Sequence, residues 1–294
     1  MKTCLHRVLP ILLCLGGLLL PAAAKADAAQ LRARHAELRE QLRENHFGRA
    51  LHIDSAEHPD ALRGEVVAVL EHPFATVSNA LKDPAHWCDI LILPFNTKYC
   101  HAIRSDAGPV LQVRIGRRFD QAVEQAHRLH FSWRNVAAQP DYFEARLAAP
   151  TGPVGTRDYR ITVAAVPLEN NRTFLQLSYS YGFGNMGRMA MQMYLSTVGA
   201  DKIGFTVVGR DAEGRPQFIQ GVRAAVERNT MRYYLAIDAF LDSLAAPPAQ
   251  RVERRIQQWF SATERFPRQL REMDRNTYAE MKRAEYERQQ TLLQ

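Results

Sequence analysis

The 294-residue chain carries 38 Lys and Arg residues against 31 Asp and Glu residues, which gives a formal net charge of +7. The basic residues are dispersed, and no Lys/Arg block contains interleaved aromatic residues. This composition therefore excludes the usual pattern of a nucleic-acid-binding protein. The same charge suits peripheral contact with anionic lipid headgroups.

Residues 1–26 have the pattern of a signal peptide. Lys2 and Arg7 precede an apolar segment, Val8–Leu20, and the sequence Ala24-Lys-Ala26 fits a small-residue cleavage site. An uncleaved membrane anchor is the alternative, but the apolar run contains a proline and is short for a span of ~20 residues. We therefore predict export across the inner membrane into the periplasm.

Residues 27–62 predict an N-terminal helix followed by a polar link. Leu31, Leu38 and Leu42 recur at helical spacing, and the residues after them are rich in Gly, Asp, His and Pro. Arg63–Leu70 then alternates as a strand, and Pro73 is placed to begin a short helix.

Six further strand patterns follow, separated by turn residues. Their short connections favour an antiparallel meander. The predicted strands are Asn96–Arg104, Pro109–Phe119, His127–Val136, Asp141–Ala148, Asp158–Val166 and Thr173–Phe183.

The predicted elements after the meander are helical, with one hairpin between them. A Met-rich helix, Gly184–Thr197, and a hairpin, Lys202–Gln220, separate the last strand from a long amphipathic helix, Gly221–Leu244. The charged segment Arg251–Gln294 predicts a helical tail.

Two cysteines, Cys88 and Cys100, remain outside the predicted leader. A pair that closes a short loop in an oxidising compartment indicates a disulfide. Two buried free thiols and a two-ligand metal site are the alternatives. The chain has no Cys-x-x-Cys, His-x-His or His-Glu-x-x-His motif, which disfavours a metal site.

Alternation along the meander gives the predicted sheet one apolar face, and the long helix has an apolar stripe that can cover it. A space between the two would be a ligand pocket, whereas a solid core is the alternative. The predicted ligand-binding residues are Val113, Ile115, Phe131, Trp133, Phe143, Leu175, Leu177, Tyr179, Tyr181, Asn229, Tyr233 and Ile237.

Polar residues at this predicted site leave two interpretations open. Asn229 interrupts the apolar stripe of the long helix, where its amide could orient a ligand oxygen or bond a Ser or Tyr of the sheet. Asp158 could pair with a nearby arginine as an internal clamp, or the arginines could bind an anionic headgroup. The arginines concerned are Arg157, Arg160, Arg228 and Arg232.

The sequence contains no nucleophile elbow, phosphate loop or zinc motif, and its ten histidines are scattered. We therefore predict no catalytic residue, metal ligand or cofactor, and we favour a non-catalytic protein over an enzyme.

The order of elements resembles the START-like, or helix-grip, superfamily, which also contains polyketide cyclases and lipid-transfer domains. The resemblance rests on Gly64–Leu70, on His72-Pro-Phe74 with Trp87 after it, on the meander and on Val222–Leu244. It implies an α+β fold, in which a curved antiparallel sheet of about seven strands surrounds a long C-terminal helix and a lipid-sized cavity. The Met-rich helix and the hairpin before the closing helix depart from this pattern.

These features predict an exported bacterial member of that superfamily, with residues 63–246 as its ligand-binding domain. The predicted ligand is hydrophobic or amphipathic, and lipid is the favoured class. The alternatives are a polyketide-cyclase-like enzyme that acts on a small apolar molecule, and an interaction module of the cell envelope. For the methionines of 184–197 two roles remain open, which are a lid that touches lipid and ordinary packing in the core. The tail, residues 247–294, is expected to be separable and to pack on the domain through Trp259, Phe260 and Phe266.

Overall fold

The computed structural model describes residues 20–117, 121–197 and 199–291. Its centre is one antiparallel sheet of eight strands: β1 Leu51–His58, β2 Ala61–Leu70, β3 Thr97–Ser105, β4 Gly108–Ile115, β5 His127–Gln139, β6 Tyr142–Thr151, β7 Thr156–Leu168 and β8 Arg172–Phe183. The strand order is β1-β2-β8-β7-β6-β5-β4-β3, so the predicted six-strand meander is present. Most of the predicted leader, residues 1–19, and the end of the strand predicted as Pro109–Phe119 lie outside the described residues.

The helices of the described ranges are α1 Leu20–Glu37, α2 Arg39–Arg43, α3 Phe74–Leu81, α4 Pro84–Leu91, α5 Asn185–Leu195, α6 Gly221–Ser243, α7 Arg251–Glu264, α8 Pro267–Leu270 and α9 Arg275–Gln289. The predicted hairpin is present as β9 Val207–Arg210 and β10 Pro216–Phe218. None of the described helices has the length and apolar character needed to cross a bilayer.

Helix α6 lies across one face of the curved sheet, where it contacts β1, β2 and β8. We call this the inner face and the opposite side the outer face. The predicted α+β helix-grip fold is thereby confirmed. The approach of α6 to β2 is close, because a Cβ atom placed on Gly64 would lie 2.2 Å from Oγ1 of Thr230.

The segment predicted as a polar link contains strand β1, which raises the number of strands from about seven to eight. It pairs with β2 from Leu51 opposite Ala68 to His58 opposite Ala61. Leu51 and Ile53 are buried and alternate with more exposed residues. The prediction missed β1 because its apolar alternation is only two residues long.

Helix α1 packs on the outer face of the sheet. Its Ala28 and Leu31 belong to a buried cluster with Val67, Val69 and Phe174. These sheet residues alternate with the inner-face residues of β2 and β8. The sheet is therefore covered by α6 on one side and, over β6 to β8, by α1 on the other.

A buried carboxylate joins the inserted segment after α5 to α6. Glu227 accepts hydrogen bonds from the Ser55 hydroxyl at 2.6 Å, from the N–H groups of Phe205 and Thr206 at 2.6 and 2.9 Å, and from the Thr206 hydroxyl at 2.7 Å. A buried charge is tolerated when such donors surround it. Residues 205–206 are therefore held against both α6 and β1.

The C-terminal tail packs on the domain through aromatic residues, as predicted. The Tyr278 ring stacks on Trp259 with 5.0 Å between the centroids, and its hydroxyl donates to the Leu93 carbonyl at 2.9 Å. Nε1 of Trp259 donates to the Arg232 carbonyl of α6 at 3.2 Å. Phe266 lies 5.4 Å from Phe205, measured between ring centroids.

The tail buries more than its sequence suggested, because Leu270, Tyr278 and Ala279 beyond Phe266 are also buried. Arg255 of α7 pairs with Asp89 of α4 at 2.7 Å. The separability of residues 247–294 stays a prediction, which the folding of a chain truncated after Pro248 would test.

Cys88 of α4 and Cys100 of β3 form a disulfide, as predicted. We expect the double variant Cys88→Ser/Cys100→Ser to lose about 3 kcal/mol of unfolding free energy, because the bond restricts a short loop in the unfolded chain. Urea unfolding without reductant measures the difference, and reduced wild-type protein serves as the control. Equal stability of oxidised wild type and variant would contradict this expectation.

A buried ionic group fixes α9 to strand β3. Lys282 donates to the Glu285 carboxylate at 2.6 Å and to the carbonyls of Pro94 and Thr97 at 2.8 and 3.0 Å. Lys98 contacts the same carboxylate at 3.0 Å. Burial lowers the pKa of Lys282 from 10.5 to about 8, and the positive charge of Lys98 adds to this effect, whereas Glu285 opposes it.

The depressed Lys282 pKa predicts stability that rises with pH. Between pH 8 and 10.5 the folded state releases this proton before the unfolded state does, so the unfolded state binds more protons and the unfolding free energy increases. The full effect of such a shift is about 3 kcal/mol. Urea unfolding across this range, compared with Lys282→Met, checks the prediction. If the stability difference between the two proteins does not change with pH, the assignment to Lys282 is wrong.

Candidate functional site: the inner face of the sheet

The predicted ligand-binding residues are brought together on the inner face and beneath α6. Nine are buried in one continuous cluster, whereas Ile115, Asn229 and Tyr233 are half-buried. The buried nine are Val113, Phe131, Trp133, Phe143, Leu175, Leu177, Tyr179, Tyr181 and Ile237. In the described structure these side chains pack against one another.

A cluster of tyrosines occupies one end of this face. Tyr159 stacks on Tyr181 with 5.2 Å between centroids, and Tyr233 of α6 meets Tyr179 edge-on at 5.2 Å. Phe131 of β5 contacts Tyr159 edge-on at 6.5 Å. The cluster therefore joins three strands to α6 through aromatic surfaces that are adaptable to an apolar ligand.

Three phenols of this tyrosine cluster remain protonated at neutral pH. Burial raises the pKa of Tyr159, Tyr179 and Tyr233 above the ordinary value of 10. The Tyr159 hydroxyl lies 2.8 Å from Oγ1 of Thr156, within hydrogen-bond distance. The cluster therefore offers neutral hydroxyl groups rather than charge.

Tyr159 was absent from the predicted site, although the sequence contains its signal. In β7, Tyr159, Ile161 and Val163 alternate in the same way as the residues of β8, and Ile161 pairs with Tyr179. The register with β8 shifts at a bulge between Arg157 and Arg160. The face on which Tyr159 lies therefore depends on this bulge, which the sequence does not show.

Trp133 differs from the other two tryptophans of the chain in its hydrogen bonding. Nε1 of Trp87 donates to the Leu81 carbonyl at 2.8 Å, and Nε1 of Trp259 has its partner on α6. Nε1 of Trp133 is buried and has no hydrogen-bond partner within the described part of the chain. A buried, unpaired N–H is costly, so this group marks a place where a further acceptor would be stabilising.

Trp133 is aligned with the tyrosine cluster across the sheet. Its register partner is Leu147 of β6, which pairs with Ile161 of β7, which in turn pairs with Tyr179 of β8. One row of inner-face residues thus runs from Trp133 to Tyr179, which belongs to the tyrosine cluster.

Asn229 is half-buried, and its Oδ1 accepts a hydrogen bond from Nη1 of Arg232 at 3.3 Å. Of the two roles predicted for Asn229, the bond to a Ser or Tyr of the sheet is replaced in the described structure by a bond within α6. The neighbouring Arg232 guanidinium also pairs with Glu272 of the tail at 2.6 Å and lies over the Phe95 ring at 4.8 Å.

The four predicted headgroup arginines do not converge. Arg228 and Arg232 are buried, whereas Arg157 and Arg160 are exposed. Asp158 pairs with Arg157 at 3.2 Å, but both side chains are exposed, so this pair is not an internal clamp. Arg157 also contacts Asp60 at 3.3 Å.

The Met-rich helix α5 lies beside the tyrosine cluster and contacts β8 and α6. Met191 packs against the core, whereas Met186, Met189 and Met193 are exposed. Among the described residues, no group of three or more His, Cys, Asp or Glu side chains is placed to hold a metal ion.

No protein-family model and no curated protein match the chain. Norcoclaurine synthase from Thalictrum flavum is similar at 12% identity and TM-score 0.32, over 51% of this chain and 81% of that chain. A START superfamily protein from Mycobacterium smegmatis aligns at 14% identity and TM-score 0.32, over 50% and 89%. The Zhui aromatase/cyclase from Streptomyces sp. R1128 aligns at 15% identity and TM-score 0.31, over 48% and 74%. Similarity at this level carries neither a ligand nor a reaction over to this chain.

Proposed function

We propose that the protein binds a hydrophobic or amphipathic small molecule, with lipid as the leading class, between the inner face and α6. The observation that carries this proposal is the buried Nε1 of Trp133, which has no partner among the described residues and lies in a largely apolar face. A ligand oxygen would accept its hydrogen bond, while the apolar part of the ligand would lie along the row toward Tyr179.

Ligand entry requires rearrangement, because the described side chains fill this face. Helix α5 is the segment of the described chain best placed to move. It is held by the close approach of Gly187 to Gly155 and by a hydrogen bond from Arg188 to the Pro59 carbonyl. Because three of its methionines are exposed, moving α5 away from the sheet would expose little additional apolar surface. Methionine side chains also adapt readily to apolar ligands.

Export to the periplasm is part of the same proposal. The Cys88–Cys100 disulfide supports it, since such bonds persist in oxidising compartments and are rare in the cytosol. The neutral phenols suit contact with an apolar or amphipathic ligand, since burial keeps them uncharged.

The first test is native mass spectrometry of the full chain purified without detergent. We expect a bound apolar molecule that is released on denaturation, because the inner face offers apolar contact and the indole N–H of Trp133 as a donor. If only the bare mass is found, and a dansyl-labelled fatty acid does not bind, the carrier function is wrong. Recovery of a chemically altered form of an added ligand would instead support the cyclase-like alternative.

The second test removes the Trp133 N–H with Trp133→Phe. We expect the affinity for the dansyl-labelled fatty acid to fall about 3- to 10-fold, as for loss of one hydrogen bond. In the ligand-free protein the smaller ring leaves a cavity, which lowers the unfolding free energy, while the loss of an unpaired buried donor offsets part of that cost.

Trp259→Phe is the matched control, since it removes an N–H that already donates to Arg232. Both variants lose the same part of the ring, so Trp259→Phe should lose about 1 kcal/mol more stability than Trp133→Phe, and it should keep its ligand affinity. Unchanged affinity in Trp133→Phe would show that its N–H does not contact the ligand.

A further inference from the structure

The outer face of the sheet is open over its middle strands. Helix α1 covers parts of β6 to β8, and the end of α9 covers β3, where the hydroxyl of Tyr99 donates to the Thr291 carbonyl at 2.7 Å. Between these two covers, the outward residues of β5, β6 and β7 are largely exposed and strongly basic. They include Arg128, His130, Arg134, Arg146 and Arg160.

The arginines of this surface outnumber the acidic side chains that pair with them in the described structure. Arg134 and Arg160 form no ion pair within the described residues. Arg146 contacts Glu144, but the same carboxylate also accepts a hydrogen bond from the Tyr142 hydroxyl at 2.6 Å. One buried acid therefore stands against several exposed guanidinium groups.

The strand register forces two of these like charges together. Arg134 of β5 is the direct partner of Arg146 of β6, and like charges opposite each other destabilise a strand pair. Arg160 lies in the neighbouring row, opposite Ala148. An anion placed between these side chains would relieve the repulsion and satisfy the guanidinium donors.

The side chains enclose a shallow open groove of about 680 Å³, lined by Ser132, Arg134, Val136, Arg146, Arg160 and Thr162. Val136 is the extra residue of a bulge in β5 and is 45% exposed. The surface thus combines unpaired guanidinium groups with an outward apolar side chain.

We propose that this arginine surface docks the protein on an anionic lipid membrane. Guanidinium groups match phosphate geometry, and several arginines spread over an open sheet face suit a plane of phosphates better than a single bound ion. Val136 would contact the interface between headgroups and acyl chains. Since α6 and the inner face lie on the other side of the sheet, docking leaves them accessible. This inference stands apart from ligand binding at the inner face.

Co-sedimentation of the full chain with vesicles tests the docking. We expect binding to vesicles of phosphatidylglycerol and phosphatidylcholine, weakening as the salt concentration rises, and little binding to phosphatidylcholine alone. Equal binding to both vesicle types would overturn the proposal. Binding to heparin without binding to anionic vesicles would also overturn it, in favour of a soluble polyanion.

The arginine surface is tested with Arg134→Gln/Arg160→Gln, whose side chains have no ion-pair partner to lose among the residues that the structure describes. We expect binding to anionic vesicles to weaken roughly 10- to 30-fold. The matched control is Arg39→Gln/Arg254→Gln, which removes the same charge from exposed positions on α2 and α7. Equal losses in both double variants would show that net charge, rather than this surface, governs binding. Retention of the dansyl-labelled fatty acid by both variants would separate docking from ligand binding.

Discussion

The close packing of α6 on β2 is the constraint on which the rest of the fold depends. Only glycine at position 64 lets Thr230 approach the strand, because any Cβ there would collide with its hydroxyl. One turn earlier, Glu227 binds Ser55 of β1 and the segment at 205–206. Both contacts fix α6 over the β1–β2 end of the sheet, and bulky side chains such as Trp133 and Phe143 occupy the face of the strands farther away.

This position explains why α6 is buried on nearly all sides rather than along one stripe. The sheet covers one side, and α7 of the tail covers another. Buried charges on α6 consequently find partners in distant segments, as Arg232 does in Glu272. The tail thus completes the environment of the helix that closes the inner face.

Local alternation was sufficient to predict the six-strand meander, and Pro73 was sufficient to predict the short helix α3 that follows β2. It could not predict β1, whose polar residues become a strand only by pairing with β2. The apolar members of the site were equally predictable from alternation. The missing partner of Trp133 and the pairing of Asn229 with Arg232 were not, because both depend on distances that no local pattern encodes.

The two-residue period of a strand also brings the two proposed surfaces into direct succession. Trp133 points to the inner face, and the next residue, Arg134, points to the outer face. A one-residue slip of β5 would bury a guanidinium among aromatic rings and expose an indole, so the register with β6 is strongly determined. Because opposite faces of one strand do not share contacts, a change at one of these residues leaves the chemistry of the other intact. The two proposals, ligand binding at the inner face and membrane docking at the outer face, can therefore be tested separately on adjacent residues of the same strand.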